Sequence, residues 1–135
     1  MLYGAARRLA QLEALELVTA LWNAPIPRKC IENPQGCINT KLPFMPRPQV
    51  VQPYEFGHDA SKSTCLWLDT LPPLQPTVRV PGRTVTLPSG RTAERWANQT
   101  DSGQNRLPPS ADRWKIRSDT YAGMADALVT AWSKL

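Results

Sequence analysis

The sequence lacks several features that would define a class of protein. No run approaches the roughly 18 apolar residues that a membrane-spanning helix needs, and the N-terminus lacks the ordered regions of a signal peptide. Only three cysteines occur (Cys30, Cys37 and Cys65), an odd number without a framework of pairs. We therefore expect no membrane partner and a reduced, cytoplasmic setting.

The sequence also contains only one histidine, His58. A zinc site formed by Cys37, His58 and Cys65 would lack the short paired spacing of structural zinc sites, so no metal is expected. As an alternative, His58 orients the turn at Gly57 or faces a ligand.

Charge of one sign is only mildly in excess. Sixteen Lys and Arg residues against eleven Asp and Glu residues give a formal net charge of +5. This excess is compatible with binding a phosphate backbone, but it is also common in small soluble domains. The length of 135 residues predicts a single domain, residues 1–135.

The N-terminal part of the sequence has helical periodicity. Apolar residues recur at steps of three and four, which predicts a helix with one apolar face. Pro25 and Pro27 end this helix, because proline cannot supply the backbone donor that a continuing helix needs. The predicted face consists of Leu2, Ala5, Leu9, Leu12, Leu15, Val18 and Trp22.

The C-terminal part also predicts a helix. Ser118 or Asp119 is the expected N-cap. The apolar face that follows consists of Tyr121, Met124, Ala125, Leu128 and Trp132.

The middle of the sequence predicts short strands and long connections. Strands are predicted at Lys29–Glu32, Gln49–Gln52 and Cys65–Leu68, and the first follows a helix and a turn, as a parallel strand does. Fourteen prolines imply long Pro-rich loops. The polar span 82–110 predicts one long loop with a short hairpin at about 84–90. These elements predict an α/β fold with terminal helices.

The segment Cys30-Ile31-Glu32-Asn33-Pro34 is the most informative motif. It places an acid and an amide at the end of a predicted strand, where α/β proteins build their sites. It resembles the Glu-Asn motif of DNA cytosine-5 methyltransferases. An alternative is an ordinary strand-end glutamate with an Asx-type turn before Pro34.

Further blocks extend this resemblance over about residues 24–132. Segments 52–58, 62–68, 98–105 and 113–125 are similar, in the same order, to the distal half of phage-type DNA cytosine methyltransferases. The resemblance implies a partial Rossmann-like methyltransferase sheet with helices at both ends. It also implies a phage origin and the cytoplasm of the host cell.

The resemblance assigns roles to three residues. Glu32 would contact the flipped cytosine, and Asn33 would brace the loop. Gly123, at the start of the last helix, would allow close approach beside the site for S-adenosylmethionine. A plain amphipathic closing helix is equally compatible with the spacing around Gly123.

The sequence lacks the two motifs on which methylation by this family depends, the nucleophile and the turn that binds the methyl donor. Methylation at C5 needs a cysteine nucleophile, which follows a proline in the family. Here lysine, glycine and threonine precede the three cysteines, and no Gly-x-Gly turn for the methyl donor occurs. Cys30, on the predicted strand, is expected to be buried and inert. We therefore expect a truncated, catalytically incomplete remnant that binds no cofactor alone.

Basic residues near the last helix are candidates for contact with nucleic acid. Arginines and indoles together can bind phosphates and stack on bases. The alternative is a solvated rim around two core tryptophans, Trp96 and Trp114. The candidates are Arg113, Lys115 and Arg117, with Arg91, Arg95 and Arg106 less central.

Three functions remain open at this point. The first is that the chain acts by binding, as an inhibitor of a host defence protein. Alternatively, it is the target-side half of a split methyltransferase, or a DNA-binding module without chemistry. A homodimer could also cover the sheet edge that truncation would expose.

Overall fold

A computed structural model of the chain describes residues 2–135, and the predicted place of Leu2 on a helix face lies outside the described side chains. Within this range no helix is both long and apolar enough to cross a membrane. The helices are α1 (Leu2–Asn23), α2 (Ile38–Lys41), α3 (Arg113–Ser118) and α4 (Ala122–Trp132). The strands are β1 (Lys29–Pro34), β2 (Gln49–Val51), β3 (Thr64–Asp69), β4 (Arg83–Thr86) and β5 (Thr92–Arg95).

The chain contains two compact units. The first comprises Met1–Val50 with Thr64–Pro73, and the second comprises Val51–Ser63 with Leu74–Leu135. The predicted helices and strands are all present within a few residues of their expected bounds, so the fold is a mixed α/β fold with terminal helices.

The sheet of the first unit is antiparallel, so the prediction of a parallel strand at Lys29–Glu32 was wrong. The strand order is β1-β3-β2, and β1 pairs with β3 in antiparallel register, with Glu32 opposite Leu66. Parallel strands are usually joined by a crossover that contains a long helix. The connection from β1 to β3, residues 35–63, is long enough for a crossover, but its helix α2 has only four residues.

Helix α1 packs on the first unit through only part of its predicted apolar face. The buried core of this unit is formed by Ile38, Met45, Cys65 and Trp67. Leu15, Val18 and Trp22 pack against it, whereas Leu9 and Leu12 are exposed. The steps from Leu9 to Val18 are all three residues long. Three residues turn an α-helix by about 300°, so each apolar residue lies about 60° behind the previous one, and Val18 lies on the side of the helix opposite Leu9. The prediction of one continuous face was therefore wrong for its first half.

Lys29 fixes the turn between α1 and β1. Its ammonium group donates hydrogen bonds to the carbonyl oxygens of Ala24 at 2.9 Å and Ile26 at 3.2 Å. It also forms an ion pair with Asp69 on β3 at 3.3 Å. These bonds satisfy carbonyl groups at the helix end and set where β1 begins.

The second unit contains the predicted hairpin. Strands β4 and β5 pair in antiparallel register, and Gly90 in the connecting turn has a φ of 83°, which favours glycine. Behind the hairpin, the rings of Tyr54 and Trp96 stack with centroids 3.7 Å apart. The indole of Trp96 donates to the carbonyl of Val80 at 2.9 Å. Trp96 is therefore a core residue.

Helix α4 begins differently from its prediction. Ser118 belongs to α3, Asp119 ends that helix, and the residue before α4 is Tyr121, whose side chain makes no capping bond. The free N–H of Gly123 instead donates to Nε2 of His58 at 2.9 Å. A distant imidazole therefore replaces the local cap, and both predicted caps were wrong.

Candidate anion-binding cleft

Glu32 and Asn33 lie exposed at the end of β1. In the antiparallel register they face Leu66 and Cys65 on β3. The amide of Asn33 donates to the neighbouring carbonyl of Pro34 at 3.2 Å, which is a local contact of the kind expected at a strand end. The geometry therefore gives these two residues no partner for acid–base or nucleophilic chemistry among the described contacts.

The thiols near Glu32 are unsuited to nucleophilic attack. Burial, and then the carboxylate of Glu32, raise the pKa of half-buried Cys30 to about 11. The same two causes, in the same order, raise the pKa of Cys65. Both thiols hold their protons at neutral pH, whereas the thiolate is the nucleophile. The third thiol, Cys37, accepts a hydrogen bond from the amide of Gln11 at 3.2 Å.

Gly123 makes its close approach to its own chain. A Cβ atom at this position would overlap the carbonyl oxygen of Phe56 and lie 2.8 Å from Nε2 of His58. The imidazole of His58 also packs against the ring of Tyr121, with centroids 5.0 Å apart. The side of Gly123 on which a Cβ would project is thus filled by protein. The contact of His58 with the start of α4 was not predicted from the sequence.

A cleft in the second unit brings together three arginines, which we call the arginine cleft. It has a volume of about 550 Å³, and its cationic lining is Arg106, Arg113 and Arg117. Arg113 and Arg117 lie four residues apart on α3, so they project from one side of that helix. The neutral walls are formed by Thr100, Gln104, Asn105, Leu107, Pro108 and Pro109.

The arginine cleft contains positive charge without a compensating acid. No Asp or Glu lines it, and within residues 2–135 no ion pair involves any of its three arginines. Arg106 donates through Nε to the carbonyl of Gln99 at 2.7 Å, which fixes its position. The Nε of Arg113 is buried and has no hydrogen-bond partner in the described part of the chain. An unpaired buried donor costs about 1–3 kcal/mol.

An indole extends this surface along α3. Trp114 is 66% exposed, and the ammonium of Lys115 lies 5.6 Å from the centre of its ring. Lys115 also pairs with Asp112 at 3.6 Å and does not line the cleft. The structure thus places Arg113 and Arg117 in one site and leaves Lys115 beside it. Trp114 was predicted as a core residue in the alternative interpretation, which its exposure contradicts.

The other predicted basic residues, Arg91 and Arg95, do not line the arginine cleft. Arg95 donates to the carbonyls of Asp101 at 3.1 Å and Glu94 at 2.9 Å, so it supports the loop after β5. Arg91 is exposed in the hairpin turn. Arg83 was not predicted as a candidate. Its guanidinium group donates hydrogen bonds to the carbonyl oxygens of Trp96 and Gln99 and so holds the same loop.

Within residues 2–135, no group of three or more His, Cys, Asp or Glu side chains is placed to hold a metal ion.

The polar loop 98–105 forms part of the cleft wall. Its sequence has no periodicity from which a place in the cleft could have been predicted. No protein-family profile, curated protein or solved structure matches this chain.

Proposed function

We propose that this chain is a non-catalytic binding module that holds phosphate groups of nucleic acid in the arginine cleft. The observation that carries the proposal is that three arginines line one cleft that no Asp or Glu residue lines. The net charge of +5 favours the same class of ligand.

Arginine suits this role because its planar guanidinium group can bind two phosphate oxygens at once. Arg113 and Arg117, one helical turn apart, can contact the same or adjacent phosphates. The exposed ring of Trp114 next to them can stack on a base, and stacking of this kind tolerates any base sequence. The module is therefore proposed to bind DNA without strong sequence preference.

The protonated thiols of Cys30 and Cys65 support binding in place of catalysis. No step of the proposed function uses S-adenosylmethionine. The interpretations as half of a split methyltransferase and as an inhibitor of a host defence protein stay predictions, since neither follows from a specific contact in the structure.

Replacing two arginines of the cleft tests the proposal. We expect Arg113→Ala with Arg117→Ala to weaken binding of a fluorescently labelled oligonucleotide by more than about tenfold at moderate salt, because two phosphate contacts are lost. Fluorescence anisotropy measures the affinity. The slope of log affinity against log salt should also become shallower by about 1 for each lost phosphate contact.

Arg91→Ala is the matched control, because it removes one exposed arginine of the same unit outside the cleft. It should weaken binding less than about threefold through net charge alone. Arg113→Ala and Arg117→Ala are also made singly, so that each removes one charge as the control does. Equal losses for Arg91→Ala and for each of these single variants would show that only overall charge matters, and the proposal would fail.

A further inference from the structure

The first half of helix α1 carries apolar side chains that are exposed in the part of the chain that the structure describes. Residues 4–14 are all exposed. Leu9 is 58% exposed and Leu12 is 57% exposed, although leucines on a helix of a folded protein normally face a core. Ala5 precedes them on the same stripe, at helical spacing. A short apolar stripe is thus presented to the surroundings.

We propose that this stripe pairs with the same stripe of a second copy of the chain, with the two α1 helices antiparallel. In this arrangement Leu9 of one copy lies level with Leu12 of the other, and the reverse contact is repeated by the twofold axis. The two leucine layers remove from water the apolar surface that the single chain leaves exposed.

The order of charges along α1 selects a second copy and the antiparallel direction. Arg7 and Arg8 come early in the helix, and Glu13 and Glu16 come later. With Leu9 level with Leu12 of the other copy, Glu16 lies within about one helical turn of the other copy's Arg8. The symmetry makes two such pairs. The stripe is therefore complementary to itself in charge as well as in shape.

A parallel pairing in register is disfavoured by the same residues. Glu16 continues the stripe of Leu9 and Leu12, so a parallel partner would place two Glu16 side chains level with each other. Like charges that face each other destabilise helix pairs. The contact spans only about three turns, which is less than the usual area of a stable interface, so we expect a weak dimer.

Leucine substitutions at two places on α1 test the surface. The dimer is measured by sedimentation equilibrium over a wide range of concentration. Leu9→Ser with Leu12→Ser should be monomeric where the unchanged chain is dimeric. Leu17→Ser with Leu21→Ser is the matched control, because Leu17 is 60% exposed on another side of the same helix. This control should dimerise as before.

Charge reversal tests the direction. Arg8→Glu alone and Glu16→Arg alone should each weaken the dimer by roughly tenfold, because two symmetric ion pairs become repulsive. The two changes together should restore the affinity to within about threefold. The proposal is overturned if the chain is monomeric at all concentrations, if the Leu17 and Leu21 variant dissociates instead, or if combined reversal brings no recovery. Dimerisation is independent of the arginine cleft, so Arg113→Ala should leave it unchanged.

Discussion

Gly123→Ala is expected to lower the free energy of unfolding by about 3 kcal/mol, because the added methyl group overpacks a closed contact. The new Cβ would overlap the carbonyl oxygen of Phe56 and lie 2.8 Å from Nε2 of His58. The backbone would have to shift, and the hydrogen bond from the N–H of Gly123 to His58 would be strained. Urea unfolding followed by tryptophan fluorescence measures the loss.

Gly4→Ala is the matched control. A Cβ atom at position 4 meets nothing within 4 Å, and the residue lies inside α1. Alanine is favoured over glycine in a helix by roughly 0.5–1 kcal/mol, so this variant should be equally stable or slightly more stable than the unchanged chain. If Gly123→Ala behaved like Gly4→Ala, the close contact at the start of α4 would be refuted.

Cys30 should react about a hundredfold more slowly with a thiol reagent at neutral pH in the folded chain than in the chain unfolded by urea. Its pKa rises from 9.0 to about 11, which removes about two powers of ten of thiolate. A variant that retains Cys30 as its only cysteine isolates the signal. The folded rate should increase with pH up to about 11.

The raised pKa also has a consequence for stability. The folded chain holds the Cys30 proton more tightly than the unfolded chain does. The stability from this group is therefore fully present below about pH 9 and is lost as the pH rises towards about 11. Glu32→Gln should speed the folded reaction only modestly, because burial is the larger cause. Equal rates in the folded and unfolded chains would contradict the buried, protonated state of the thiol.

The sequence predicted most elements but not how the strands pair. Helices α1 and α4 follow from periodic apolar residues, and the short strands follow from runs between prolines. The direction of β1 depends on its pairing with β3 across residues 35–63, and the resemblance to a parallel methyltransferase sheet favoured the wrong direction. No local pattern in β1 itself distinguishes a parallel from an antiparallel neighbour.

The sequence allowed the basic residues of the candidate site to be predicted, but not their arrangement in a cleft. Basic residues interleaved with tryptophan predicted Arg113 and Arg117 as candidates, and helical geometry puts them on one side of α3. That Lys115 turns aside towards Asp112 depends on the start of α3, which the sequence did not predict. The bond from Gly123 to His58 joins residues 65 positions apart, so no local pattern could indicate it.

Binding of nucleic acid in the arginine cleft can be followed by nuclear magnetic resonance of the arginine side chains. The chain is labelled with nitrogen-15 and titrated with a short oligonucleotide while the Nε–Hε signals are followed. We expect the Arg113 and Arg117 signals to shift together and saturate, because both arginines line the cleft and bind the phosphate groups. Saturable shifts confined to Arg91, or to the surface around Glu32 and Asn33, with the cleft signals unmoved, would contradict this expectation.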